Sequence, residues 1–269
     1  VAGRELNVDM GDDDLIPAWQ TVLELSNAQI AGRLTLVGGL MVAAHARRAQ
    51  VVMRRPTDDV DTLVDYVADR SSLSDMRATL ARLGFNLTTD ERHAYRFLHT
   101  DGRKVDLMVA DHMPSGMRPR LGQRDAFVAP SGEQAIRRRD RYGLHFANGA
   151  EAKIGVPDEL GALVAKGAAY MVDQRDRGRH VDDAAILLAC IADASDLDWS
   201  SVSQNDRRRL TALTQVLENE GHIAWSNLDR DALDQARFNR TLIARIVARQ
   251  RDRELRGTRV LAERGRFHA

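Results

Sequence analysis

The sequence predicts an α+β chain, with an α/β half over residues 1–150 and a helical half over residues 151–269. Three observations predict it. Strand-like and helix-like patterns alternate as far as Pro157. Beyond that point the apolar positions fall at helical spacing almost to the end. The composition is rich in Ala, Val, Leu, Asp and Arg and poor in aromatics, which suits a globular chain with substantial helix, and 269 residues suffice for a real core.

Taken in order, residues 17–32 ("PAWQTVLELSNAQIAG") read as the first helix, with Pro17 in its first turn, the acids Asp12 to Asp14 before it and Gly32 as its stop. "RLTLV" (33–37) is a short strand that Gly38-Gly39 ends before a small-residue helix, "LMVAAHARRA". "DVDTLV" (59–64) is the next strand, and a helix over 72–83 follows, with Ser72 or Ser74 as caps and Gly84 as its stop. Then come three strand-like segments, "FNLTT" (85–89), "AYRFLH" (94–99) and "KVDLMVA" (104–110). After a loop-rich stretch, "YGLHF" and "EAKIGVP" flank an Asn-Gly turn signal. Four helical patterns complete the chain, starting near residues 157, 180, 204 and 230. The last becomes arginine-rich from Arg245 onward, which reads as the solvated face of a terminal helix. No internal repeat or low-complexity linker interrupts this order.

Charge and cysteine content narrow the classes. Basic and acidic residues balance at 39 each, so the whole-chain field gives no argument for a nucleic-acid partner. The single cysteine, Cys190, lies in an apolar run and cannot form an internal disulfide, which points to a core residue in a reducing, cytoplasmic setting. No apolar run approaches the roughly 18–20 residues a membrane span needs, and the N-terminus is polar and acidic, so neither a secreted nor a membrane protein is expected. Lysine is scarce: only Lys104, Lys153 and Lys166 occur among the basic residues. Where arginine is the default cation, each lysine raises the question of a site that needs a compact ammonium.

The stretch "RRPTDDVDTLVDY" (54–66) carries the clearest anomaly. Asp59 and Asp61 are two apart on a strand, so they share one face and repel. Asp106, in "KVDLMV", shares the pleat of Lys104 and Met108 rather than the apolar face. If the two acidic strands are neighbours, three carboxylates converge, a costly arrangement unless a hard cation such as Mg²⁺ neutralises it. A D-x-D pair on an exposed strand also reads as simply solvated. Order favours the metal. The "VGG" turn comes first and offers unhindered backbone N–H groups to a triphosphate, and the acids follow.

These residues resemble the signature of the DNA polymerase β-type nucleotidyltransferase superfamily: "LVGGLMVAAHARR", then "DVD", then "KVDLMV". The gap between Gly39 and Asp59 is longer than that family's common spacing, implying an extended helix or loop there. A second segment, "VPDELGALVAKGAAYMVDQRDRGRHVDDAAILLA", is similar to the AbiEii-like nucleotidyltransferase toxins of type IV toxin–antitoxin systems and their mycobacterial relatives. The resemblance implies a polymerase β-like core, a mixed sheet with flanking helices, plus a C-terminal helical domain that completes the site.

It also implies the roles. Asp59, Asp61 and Asp106 would hold two Mg²⁺ ions, with Asp106 helping to take the acceptor proton. Gly38, Gly39 and Thr57 would bind the nucleotide. Lys166 would contact the triphosphate of an NTP and Asp183 would complete the site, Asp182 being the alternative register. On residue type alone, Lys166 reads equally as a lysine reaching out from a helix edge, and Asp183 as a first-turn acid favoured by the helix dipole.

Arg47, Arg48, Arg54 and Arg55, and "RRRDR" (137–141), are candidate contacts for triphosphate or an RNA backbone, or ordinary solvated loops. His45 stands without a partner in the sequence and reads as structural. The implied function is nucleotidyl transfer to the 3′ end of tRNA by a toxin that blocks translation, with a cognate antitoxin as partner. The alternatives are a small-molecule acceptor such as an aminoglycoside, which would call for an acidic pocket, a protein acceptor, and a non-catalytic nucleotide-binding protein.

Overall fold

A computed structural model describes residues 3–54, 57–88 and 93–266. Eleven strands and eight α-helices alternate through these residues. The first elements are β1 (Glu5–Gly11), α1 (Pro17–Asn27), β2 (Leu34–Leu36), α2 (Gly38–Ala49) and β3 (Asp59–Val64). Next come α3 (Ser72–Arg82), β4 (Asn86–Leu87), β5 (Arg96–Leu98) and β6 (Lys104–Ala110). The segment after β6 holds β7 (Arg120–Leu121), β8 (Arg124–Asp125), β9 (Val128–Ala129) and α4 (Gly132–Arg137). The hairpin β10 (Arg139–Phe146) and β11 (Glu151–Pro157) leads to α5 (Glu159–Val172), α6 (Arg177–Cys190), α7 (Gln204–Val216) and α8 (Arg230–Arg266).

Nine strands form one mixed sheet in the order β1-β10-β11-β2-β3-β6-β5-β4, with β9 continuing along β6. β7 and β8 pair separately. The pairing that matters most is β3 with β6, parallel and in register, with Asp61 opposite Asp106 and Asp59 opposite Lys104. On β3 the alternation sends Val60, Thr62 and Val64 into the core and leaves Asp59 and Asp61 on the other face. The fold is therefore a mixed α/β arrangement, as the α+β reading expects.

Several local expectations needed correction. β1 was not anticipated. Its Leu6, Val8 and Met10 alternate inward against β10, but acidic residues between and after them mask the pattern. α1 stops at Asn27, not Gly32, because Gln29 adopts the left-handed conformation (φ 59) and Ile30 N–H bonds back to Leu25 O. That closure satisfies the last carbonyls without a glycine. α2 takes both glycines into its first turn. Of "FNLTT", only Asn86–Leu87 is a strand, and Thr89 lies outside the described residues.

At the boundary between the halves the expected strand joins the sheet. Glu151–Pro157, assigned with the helical half, is β11, seated in the sheet between β10 and β2. The helices begin beyond it, and the seam is polar and buried. Glu159 at the start of α5 pairs with Arg48 of α2 and with Arg4, which also forks onto Asp140. His45 donates from Nε2 to the Pro157 carbonyl at 2.9 Å and accepts at Nδ1 from the Tyr142 hydroxyl at 3.2 Å. Burial pushes its imidazole down to about 4, so it sits neutral in this network, a structural histidine. Cys190 is buried, and burial raises its thiol to about 12. Among the described residues, no helix is long and apolar enough to cross a membrane.

Candidate active site

A cleft of about 700 Å³ opens between the sheet and helices α5 and α6. Asp61 and the start of α2 form its floor, Lys166, His180 and Asp183 one wall, and Tyr95, Met108 and Phe127 another. It draws together most of the residues the sequence singled out.

The glycines explain their own presence. Val37 N–H bonds to Asp61 O at 2.9 Å, which pins the end of β2 and the start of α2 against β3. Gly38 follows at φ +66, and a Cβ there would stand 1.7 Å from Asp61 Oδ2. A Cβ on Gly39 would stand 2.4 Å from Thr57 Oγ1. Carboxylate and hydroxyl thus lie directly on the helix backbone where any side chain would be. The first-turn N–H groups of a helix have no intrahelical partner, and with its dipole they make a site for an anion. Thr57 Oγ1 is buried and unpartnered among the described residues. A buried hydroxyl without a partner is costly, and a ligand oxygen would relieve it.

On the opposite wall, Lys166 of α5 and Asp183 of α6 meet at 2.7 Å with side chains 6% and 1% exposed. Asp183 is therefore the inward register, and Asp182 is only half-buried. One turn earlier on α6, His180 Nε2 donates to Asp173 Oδ2 at 3.0 Å. Asp173, tied by the Arg175 backbone N–H and by His180, is held down at about 2. Arg175 and Arg179 complete the rim. None of Asp173, Arg175, Arg179 and His180 was singled out from the sequence, although "DQRDRGRH" carries all four.

The strand face gives a less expected picture. Asp59, Asp61 and Asp106 do share it, but each meets a different environment. Arg96 of β5, directly across from Asp106, forks onto both its oxygens at 2.9 and 2.7 Å and reaches Asp59 Oδ2 at 3.5 Å. Lys104 Nζ stands 3.2 Å from Asp59 Oδ1. Asp61 accepts no hydrogen bond from a described side chain. Burial and then Asp106 push its carboxyl up to about 7, with Lys166 pulling the other way. Among the described residues, no three His, Cys, Asp or Glu side chains stand close enough to hold a metal by themselves. The expected convergence of three carboxylates is thus a shared face and not a three-ligand cluster.

The donor chemistry still suits a hard divalent cation at Asp61 and Asp59. Both are carboxylates, Asp61 accepts no hydrogen bond from a described side chain, and Mg²⁺ often takes only one or two carboxylates alongside substrate phosphates. Asp106 does not fit that role while Arg96 holds both its oxygens.

The remaining candidates divide. Arg47 pairs with Asp13 and Arg48 with Glu159, so neither is a free contact, while Arg54 is exposed and Arg55 lies outside the described residues. "RRRDR" divides: Arg138 is buried against Asp158 and Ser201, and Asp140 against Arg4, while Arg137 and Arg141 are exposed. The long gap before Asp59 holds the end of α2, which stops at Ala49, and residues 51–54 and 57–58, which are outside regular structure.

No family model matches the chain, and no curated protein matches it. Among solved structures, the crystal structure of ANT(2″)-Ia in complex with adenylyl-2″-tobramycin is similar over 64% of this chain and 87% of that one. The identity is 14% and the TM-score 0.35, a likeness too slight to carry an argument.

Proposed function

We propose that the chain is a nucleotidyltransferase that moves a nucleotide from an NTP to an acceptor hydroxyl. The observation that carries this is the placing of Asp61 against the Gly38-Gly39 helix start, facing Lys166 and Asp183 across one cleft. Such a floor suits a cation and the N-terminus a phosphate, while the far wall brings a lysine within the same space.

Asp59 and Asp61 would hold Mg²⁺, which would supply charge neutralisation on the triphosphate and polarise the reacting oxygens. The α2 backbone, the Thr57 hydroxyl and Lys166 would orient the phosphates. In the reaction, the acceptor oxygen bonds to the α-phosphorus as the α–β phosphoanhydride bond breaks. Pyrophosphate leaves and the hydroxyl proton passes to solvent. Asp106 is not assigned that proton, since Arg96 engages both its oxygens. Positioning and electrostatics carry the catalysis.

For the acceptor we favour the 3′ end of tRNA, acting in a toxin that blocks translation and is checked by an antitoxin. This rests on the AbiEii-like resemblance of the α5–α6 segment. The cleft supports it: apart from Asp61, which would take the cation, its acids Asp173 and Asp183 are already paired with His180 and Lys166, and Arg175 and Arg179 stand at the rim. An aminoglycoside, being cationic, calls for an acidic pocket instead. Incubation of the protein and Asp61→Asn with each α-labelled NTP, Mg²⁺ and total tRNA tests both levels. Label on tRNA that disappears with Asp61→Asn is expected. Label transferred only to a small molecule or protein would keep the reaction and reject tRNA; none on any acceptor would reject the reaction.

A further inference from the structure

The geometry points to Arg96 as a built-in replacement for a second metal ion, leaving the site to work with a single divalent cation at Asp61 and Asp59. This inference rests on the nucleotidyl-transfer reading above and narrows its metal requirement.

The first support is position. Antiparallel pairing of β5 and β6 sets Arg96 directly opposite Asp106. Its guanidinium engages both oxygens of Asp106 and extends to Asp59, so it fills the space that an ion bridging those two acids would need. A planar fork on a carboxylate is the strongest and most directional pairing a protein cation makes. A guanidinium keeps its charge at any physiological pH, so the positive charge is permanent. The guanidinium also lies 5.6 Å from the centre of the Tyr95 ring, a cleft residue, which helps fix its orientation.

The second support is charge. Three carboxylates on this face meet two cations, Arg96 and Lys104. The third, Asp61, makes no ion pair on this face among the described residues. A single divalent ion there would make the face net positive, suited to a polyphosphate. A second ion would have to sit beside Arg96, and like charges at such range repel strongly in a cleft. The two arginine contacts also differ in strength. Asp59 is held by longer contacts among part-exposed side chains and is cheaply released, whereas Asp106 is held by two short bonds with its side chain 7% exposed.

Titration of the full chain with Mn²⁺, followed by electron paramagnetic resonance and calorimetry, tests this directly. Wild type should bind one ion, and Asp61→Asn should lose it. Arg96→Ala should bind two, and Arg96→Ala combined with Asp106→Asn should return to one. In melting experiments, Arg96→Ala should regain stability with Mn²⁺, and the double variant should show no such extra gain. Should Arg96→Ala fail to fold, Arg96→Lys carries the test, because it keeps the charge but cannot span both oxygens; a weak second ion is expected there. Two ions on wild type, or one only on the Arg96 variants, would overturn the inference while leaving nucleotidyl transfer intact. No ion on any variant would bring down the metal reading itself.

Discussion

Lys166 and Asp183 offer a test that separates holding the fold from handling phosphate. Their charges meet at 2.7 Å with almost no exposure. Replacing Lys166 with Met strips Asp183 of its lysine partner where both side chains are almost wholly buried in the cleft wall. Breaking a buried pair in this way costs about 3–5 kcal/mol, whereas replacing both members with apolar side chains is often neutral or stabilising. At roughly 2–4 °C per kcal/mol for chains of a few hundred residues, Lys166→Met should melt on the order of 10 °C lower. Lys166→Met combined with Asp183→Leu should recover most of that loss, giving a coupling of at least about 2 kcal/mol in a double-mutant cycle. The recovered protein should still fail to transfer label from NTP, since the ammonium for the phosphates is gone. Urea unfolding and the tRNA labelling assay provide the two readouts. A Lys166→Met cost below about 1 kcal/mol, or a double variant as unstable as the singles, would refute the buried-pair argument. Full transfer by the double variant would refute the phosphate role.

Other perturbations follow from the same geometry. Gly38→Ala puts a methyl 1.7 Å from Asp61 Oδ2 at φ +66 and should cost about 1–2 kcal/mol in backbone strain; displacing Asp61 should lower transfer on the order of a hundredfold, and unchanged Mn²⁺ affinity would contradict the close approach. Thr57→Val removes a buried hydroxyl that lacks a partner, so stability should stay within about 0.5 kcal/mol while transfer falls; a large loss of stability would reveal a structural bond instead. His45 has a folded value of about 4 against 6.5 for a free imidazole, so the unfolded chain takes up a proton that the folded chain refuses. Stability should therefore fall as pH drops from about 6.5 towards 4, by up to about 3 kcal/mol, and the wild-type curve should be steeper there than that of His45→Gln. Parallel curves would show that His45 does not titrate as its surroundings require.

What the sequence revealed was local chemistry. The D-x-D strand, the two glycines and the lone lysine of α5 stand out because residue type and periodicity conflict with their surroundings, whereas Asp183 came only from the family resemblance; the structure gathers Gly38, Asp61, Lys166 and Asp183 around one cleft. Arg96 did not stand out. Its partner is decided by the pairing of β5 with β6, and nothing within "AYRFLH" announces that register. The same holds for Arg138 and Asp140, which look like part of a solvated run until Asp158 and Arg4 arrive from distant segments. The end of α1 escaped notice because Gln29 holds the left-handed position that a glycine usually marks.

The seat of β11 in the middle of the sheet bears on how this chain can be divided. A cut near residue 150 would remove the strand that joins β10 to β2, along with the Pro157 carbonyl that His45 needs. The amino-terminal piece would expose two raw strand edges, a template for aggregation. The carboxy-terminal piece would carry an orphan strand ahead of its helices. Even an exchange made after Pro157 would break the pairing of Glu159 with Arg4 and Arg48, so a new helical half would have to bring its own partner for those arginines.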